Sequence, residues 1–408
     1  MSTASDATSG TVAKKRRLIT ADSHITVPPQ VADELPEKYR KQVPHLERRA
    51  DGTYFVRPEF ALMYSLDTDE NTNKFIEQYK QMAAGVKIDP DDQTSLARTL
   101  FGESHQPSVP SFYPKGRLAD MEKDGVVAEV LLDGASYAFS AITDPDGVVA
   151  LSRVMNDWYA DTYKDHLGQF APGITLPIRA GIPACVKELE RAAGRGLRPA
   201  VLPEIIPEKP WYLREWDPFW EACASLKVPL ALHCSLNQPA PWGMVKREEN
   251  VAGPLNGWLG MGGGAAEFVA MFVNSGALER HPDLHVVFTE LHAGWLGWAM
   301  QALDYYTVDP SGREHTKFFH FPLTTLKEPP SYYIKRQISC TFQWDPFAVK
   351  NRHETGLDCL IWGNDYPHAE STWPNSQTVV EKQFAGVPEA EIEKIVHDNA
   401  AKLYRFVV

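Results

Sequence analysis

A (β/α)8 TIM barrel with a long insertion after its first strand is the fold class that the sequence predicts. Two observations carry it. Short apolar runs recur near residues 18, 127, 173, 200, 230, 286, 336 and 361 with helical patterns between them, the alternation expected of βα units. Four of these runs stop on carboxylate or imidazole side chains, and in a barrel the C-terminal strand ends share one mouth. An open doubly wound sheet is the alternative, but neither a dinucleotide fingerprint nor a P-loop pattern can be read after the first strand.

Taken in order, residues 1–14 read as a disordered tail ahead of a single domain at 15–408. Residues 17–24 (RLITADSH) open it as an apolar strand with a polar end, where Asp22 and His24 share a face. Residues 27–115 are polar and proline-rich, with helical stretches at 73–84 and 93–101, and read as a cap-like insertion over one end of the scaffold. Regular texture begins at 117: helix 117–123, strand 126–132, helix 148–166, strand 171–177, helix 183–195, strand 199–202, helix 217–226 and strand 228–233. Gly257, Gly260, Gly262, Gly263 and Gly264 suggest a flexible loop near the pocket. Then come helix 265–275, strand 284–290, helix 295–305, strand 333–340, a short helix at 347–355, strand 360–365 and a closing helix at 389–403.

Composition narrows the function classes. With 408 residues and 43% hydrophobic content, the chain can bury a sizeable core. The net charge of -12 is spread along the sequence, and Lys14-Lys15-Arg16-Arg17 is an isolated basic run, so no nucleic acid partner is expected. Cys185, Cys223, Cys234, Cys340 and Cys359 form no CxxC pair, which fits buried thiols in a reducing compartment. No membrane-length or signal-like apolar segment is present, so the expected location is cytoplasmic, with no membrane partner.

The converging residues are Asp22 and His24 on strand one, His233 on strand five, Glu290 with His292 on strand six, and Asp365 with His368 on strand eight. Each has an ordinary reading: Asp365 as a turn residue before Pro367, His233 as a core histidine, Glu290 as half of a salt bridge. Together they make a mononuclear site in which Asp22, His24, His233 and Asp365 hold one divalent ion, Zn2+ first and Mn2+ second, with a position left for water or substrate. Glu290 and His292 are candidate acid–base groups, and His368 with Glu370 a candidate substrate-binding pair. Trp295, Phe342, Trp344 and Tyr366 are candidate walls for a planar substrate, though each also suits a core. Arg336 and Arg179 are candidate anion clamps.

The motifs ADSH (21–24), RLADMEKDGV (117–126), PLALHCS (229–235), VVFTELHAGWL (286–296) and IWGNDYPHAESTWP (361–374) resemble the amidohydrolase superfamily as a set. They are most similar to the amidohydrolase-related branch containing 2-amino-3-carboxymuconate-6-semialdehyde decarboxylase and gamma-resorcylate decarboxylase. The resemblance spans nearly the whole barrel. It implies that His24 and His233 are ligands and that Asp365 is a ligand or proton-transfer residue. It also implies homodimers or higher homo-oligomers. The chain departs from the pattern at Asp22, where the best-known decarboxylases have His or Glu. It departs again at the end of strand six, where some members have a catalytic His and this chain has Glu290, with His292 two residues on.

Two reaction classes share such a site. Decarboxylation of a small aromatic or unsaturated acid needs a metal-anchored carboxylate and a proton donor, with Asp365 the leading shuttle. Hydrolysis of an amide, ester, lactone or carbon–carbon bond would use metal-activated water, with Asp365 as base and His233 or His292 on the oxyanion. A barrel retained only for binding is the third reading.

Overall fold

The computed structural model describes residues 15–25, 28–58, 80–89, 113–133, 142–202, 209–233, 253–307, 326–368 and 370–408. The 1–14 tail, the helix at 93–101, most of the one at 73–84 and Cys234 lie outside these residues. Parallel strands alternate with helices in a distorted, barrel-like α/β fold. One sheet has the order β1-β5-β6 and the other β12-β11-β10-β9-β8-β7. The strands are β1 (Leu18–Ile25), β5 (Val126–Asp133), β6 (Phe170–Pro172), β7 (Ile174–Thr175), β8 (Ala200–Leu202), β9 (Leu230–His233), β10 (Val286–Thr289), β11 (Ile338–Phe342) and β12 (Leu360–Trp362).

β6 and β7 are separated by Gly173 alone. A Cβ there would sit 2.7 Å from Val201 and 3.3 Å from the Leu131 carbonyl, so only glycine lets the chain pass between the sheets. At the other junction, β1 and β12 share no ladder among the described residues. One bridge, Ser23 to Tyr366, joins them beyond the end of β12.

Side-chain alternation divides the core in two. Ile19, Ala21, Ala128, Val130, Leu132, Ala171, Val201, Ala231, Val287 and Ile361 form the inner cluster, mostly small enough for a narrow interior. Their neighbours of opposite parity, such as Leu18, Leu131, Leu230, Phe288 and Phe342, join the larger cluster with the surrounding helices. The C-terminal helical run Glu389–Tyr404 plugs the end where strands begin. Ala400 and Tyr404 enter the inner cluster there, the Tyr404 carbonyl accepts from Arg198 Nε, and Asn399 donates to the Leu357 and Leu360 carbonyls.

Two expectations need correction, and one element was not foreseen. Residues 333–337 belong to the helix Pro330–Gln337, so the seventh run becomes a strand only at Ile338. Pro330 sits at the helix start, and buried Tyr333, Ile334 and Gln337 follow helical spacing despite their strand-favouring side chains. The glycines at 257–264 lie in the helix Gly253–Asn274, not in a loop. Ala265, Phe268, Val269, Phe272 and Val273 bury one face of that helix, and such packing outweighs poor glycine propensity. Finally, the insertion carries an antiparallel sheet, β2 (His45–Arg49), β3 (Gly52–Val56) and β4 (Val86–Ile88), whose Phe55, Met82 and Ile88 pack with Trp158.

Candidate metal centre

The site begins with a bulge. β1 pairs Ile19 with Ala128 and Thr20 with Glu129, then slips so that Ser23 faces Leu131 and His24 faces Leu132. One extra residue flips the parity of the strand, turning His24 to the inner face that Ile19 occupies and leaving Ser23 outside. The Thr20 hydroxyl fastens the bulge: it donates to the Asp22 carbonyl at 2.7 Å and accepts from the Asn364 amide at 2.9 Å.

The loop after β12 supplies the opposite wall. Asp365 N–H donates to the Asp22 carbonyl at 2.8 Å, and His24 N–H to the Tyr366 carbonyl at 2.6 Å. Gly363 permits this approach, since a Cβ there would lie 2.5 Å from the Asp22 Cβ. The result sets His24 Nε2 at 2.9 Å from Asp365 Oδ1 and 3.5 Å from Asp22 Oδ1. His233 Nε2, from the end of β9, is 3.8 Å from Asp22 Oδ1 and 3.3 Å from Glu290 Oε2. His368 stacks on His24 with ring centroids 3.9 Å apart, and its Nδ1 lies 2.9 Å from Asp365 Oδ1.

Two overlapping groups have the spacing of metal ligands: Asp22, His24 and His233, and His24, Glu290, Asp365 and His368. Both oxygens of Asp22, both of Asp365, and His24 Nε2 are buried without a hydrogen-bond partner of good geometry. Buried polar atoms rarely go unsatisfied, so lone pairs converging in this way fit a divalent ion. The oxygen and imidazole donors suit Zn2+ or Mn2+.

Electrostatics agree with that fit. Burial, helped by the neighbouring His368, pushes His24 down to about 4, so it is a neutral imidazole ready to donate its lone pair. Burial would raise Asp365, but His24 and His368 outweigh it and hold the carboxyl well below its usual range. Burial opposes charge on His368, yet the Asp365 carboxylate raises its affinity for a proton.

Backbone strain collects here too. Of five described non-glycine residues with positive φ, Glu290 (59°), His292 (58°) and Asp365 (59°) stand at this mouth. Thr341 Oγ1 accepts from the Glu290 amide, and the Asp345 carboxylate accepts from the Ala293 and Gly294 amides, pinning the turn that aims Glu290 at His233.

Not every expected residue joins the cluster. His292 is exposed and lines an open hollow of about 540 Å3 with Trp295, Trp298, Trp344 and Phe347. Trp295 is tied there by its indole N–H, which donates to the Leu291 carbonyl. Phe342 is a correction: it is fully buried on the outer side of β11 and packs near Phe384, so it walls no pocket. Arg336 is another. It precedes β11 and hydrogen-bonds the Leu278 carbonyl and the Gln337 side chain, at the end of the strand opposite the mouth. Sequence reasoning missed Arg117, Glu129, Thr341 and Asp345, which touch the ligand-bearing segments without belonging to them.

Among the described residues, no helix is long and apolar enough to cross a membrane. The chain is 22% identical over 317 residues to a gamma-resorcylate decarboxylase of Polaromonas sp. (strain JS666 / ATCC BAA-500), covering 71% of this chain and 86% of that protein. A solved amidohydrolase from Mycobacterium avium subsp. paratuberculosis K-10 superposes with a TM-score of 0.66 at 20% identity, over 96% of this chain and 100% of that one. A dihydroxybenzoic acid decarboxylase from Polaromonas sp. JS666, solved with bound manganese and 2-nitroresorcinol, gives 0.61 at 18% identity, over 96% and 97%. Residues 103–406 match the amidohydrolase family, three-quarters of the chain, and the chain belongs to that family.

Proposed function

We propose that this chain is a metal-dependent decarboxylase, a carbon–carbon lyase acting on a small aromatic or unsaturated carboxylic acid. The carrying observation is the buried, unsatisfied convergence of Asp22, His24 and Asp365 beside His233 and Glu290. The gamma-resorcylate and dihydroxybenzoic acid decarboxylases among its relatives supply the reaction class. Asp22, His24, His233 and Asp365 would hold the ion. Zn2+ suits these donors, and the manganese in the Polaromonas structure favours trying Mn2+ beside it. We also read β6 and β7 as one strand interrupted at Gly173, which makes eight parallel strands around the mouth.

A divalent ion in this site supplies an electropositive anchor for a carboxylate and an adjacent oxygen. The chain's own residues do the rest. Asp365 is the leading proton shuttle, with partly exposed His368, its Nδ1 2.9 Å from Asp365 Oδ1, as the neighbour toward solvent. Glu290 and His233 support acid–base chemistry on the opposite wall. We assign His292 and Trp295, which line the open hollow, to the far end of a planar acid, and His368 to its carboxylate. A homodimer or higher homo-oligomer belongs to the same proposal and is measured by sedimentation.

The test is turnover of ortho-hydroxybenzoic acids by protein loaded with Mn2+ or Zn2+, in 18O-labelled water. Release of CO2 with no label in the aromatic product is the expected result. Label entering the product of an amide, ester or lactone substrate, with no CO2 from any acid, would favour the hydrolase reading.

A further inference from the structure

The helix Pro114–Asp124 has an unusual buried face. Arg117, Asp120 and Asp124, at i, i+3 and i+7, are 0%, 2% and 1% exposed, where a barrel helix ordinarily buries apolar side chains. All three point their polar groups at the junction between β1 and the loop after β12. Arg117 donates to the His24 carbonyl at 2.8 Å, to Ser23 Oγ at 2.6 Å and to Glu129 at 2.7 Å, and its guanidinium lies 5.0 Å from the Tyr366 ring. Asp120 accepts from the Tyr366 hydroxyl at 2.6 Å. Asp124 accepts from the Ser376 amide at 2.9 Å and from Asn364.

This junction is where the two halves of the candidate site meet without a ladder. His24 stands on one side and Asp365 on the other, joined by the Ser23–Tyr366 bridge and a few hydrogen bonds. Ser23 faces outward because of the bulge, which is why Arg117 can reach it and why its hydroxyl can also donate to the Tyr366 carbonyl at 3.1 Å. Glu129, on β5, balances the buried guanidinium charge.

We infer that Arg117 and Asp120 are positioning residues that set the separation of His24 and Asp365, and thereby the affinity of the site for its ion. The inference rests on the metal reading above. Arg117 fixes the backbone of His24 and the ring of Tyr366, while Asp120 fixes the hydroxyl of that same tyrosine. Neither touches the ion, so both act through their neighbours, as groups that orient ligands elsewhere change affinity by about 10- to 100-fold.

The test compares wild type, Arg117→Lys and Tyr366→Phe as full chains. Mn2+ dissociation constants are measured by chelator competition, with the EPR spectrum of bound Mn2+ recorded and metal-free unfolding followed in urea. Arg117→Lys keeps the charge but loses the fork that spans His24, Ser23 and Glu129. Tyr366→Phe keeps the ring and loses only the bond to Asp120. Both variants are expected to bind Mn2+ about tenfold or more weakly with an altered EPR spectrum, and to keep a cooperative urea transition. A folded Tyr366→Phe with wild-type Mn2+ affinity and spectrum would overturn the positioning role. Wild type that binds neither Mn2+ nor Zn2+ would overturn the metal reading itself.

Discussion

The two ends of the barrel gather buried polar groups differently. At the base, Ala400 and Tyr404 fill the interior, Asn399 and Arg198 satisfy carbonyls, and the inner cluster continues unbroken. At the mouth, Asp22 and Asp365 are just as buried, yet their oxygens lack partners and the backbone holds three side chains at positive φ. The Tyr404 hydroxyl is buried without a partner as well, so the mouth is marked by the convergence of several such oxygens with imidazoles at ligand spacing, not by any one of them.

The contrast breaks most sharply if the mouth is edited. Asp365→Asn should weaken Mn2+ binding by more than about a hundredfold, since even groups behind the ligands cost up to that much. Its metal-free form should also lose stability in urea, because the carboxylate that His24 and His368 hold in its charged form is gone. Loss of stability with unchanged metal binding would place Asp365 among ordinary structural residues. At the base, Tyr404→Ala should cost about 3–5 kcal/mol in urea unfolding, with a far smaller change in Mn2+ affinity than Asp365→Asn.

Gly363→Ala is expected to fall between these. Its new Cβ, 2.5 Å from that of Asp22, must push β1 and the last loop apart. Overpacking of this kind costs about 1–3 kcal/mol, and calorimetric titration should show Mn2+ affinity falling with it. A variant as tight and stable as wild type would mean that the two segments move independently.

The smallest effect is in pH. His24 is held near 4, below the usual 6.5, so between those values the unfolded chain binds the extra proton. His24 therefore contributes full stability above about 6.5, and this is lost as pH falls toward 4. The expected loss in the metal-free protein is on the order of 3 kcal/mol. His24→Gln should flatten the urea midpoint over this window, and an unchanged slope would mean that His24 is not desolvated.

Much of this was legible from sequence because apolar runs ending in Asp, His and Glu recur at barrel spacing. What was hidden depends on tertiary context. Nothing in LITADSH announces that a bulge at Thr20–Ser23 will flip His24 inward, since alternation alone already groups Asp22 with His24. Arg336 was misplaced because Tyr332, Tyr333 and Ile334 favour strands, while the packing of Tyr333, Ile334 and Gln337 made a helix. Phe342 was assigned to a wall because the expected strand stopped at 340, whereas Phe342 is the last residue of β11 and lies on its outer face. Arg117 and Asp120 were read only as part of the helix 117–123, and their role rests on burial beside Tyr366, which the sequence does not show.

The most direct test of the central claim is an anomalous difference map from crystals grown with Mn2+. The account predicts one peak per chain, coordinated by Asp22, His24, His233 and Asp365. No peak at the mouth, or one held by a different set of side chains, would contradict it.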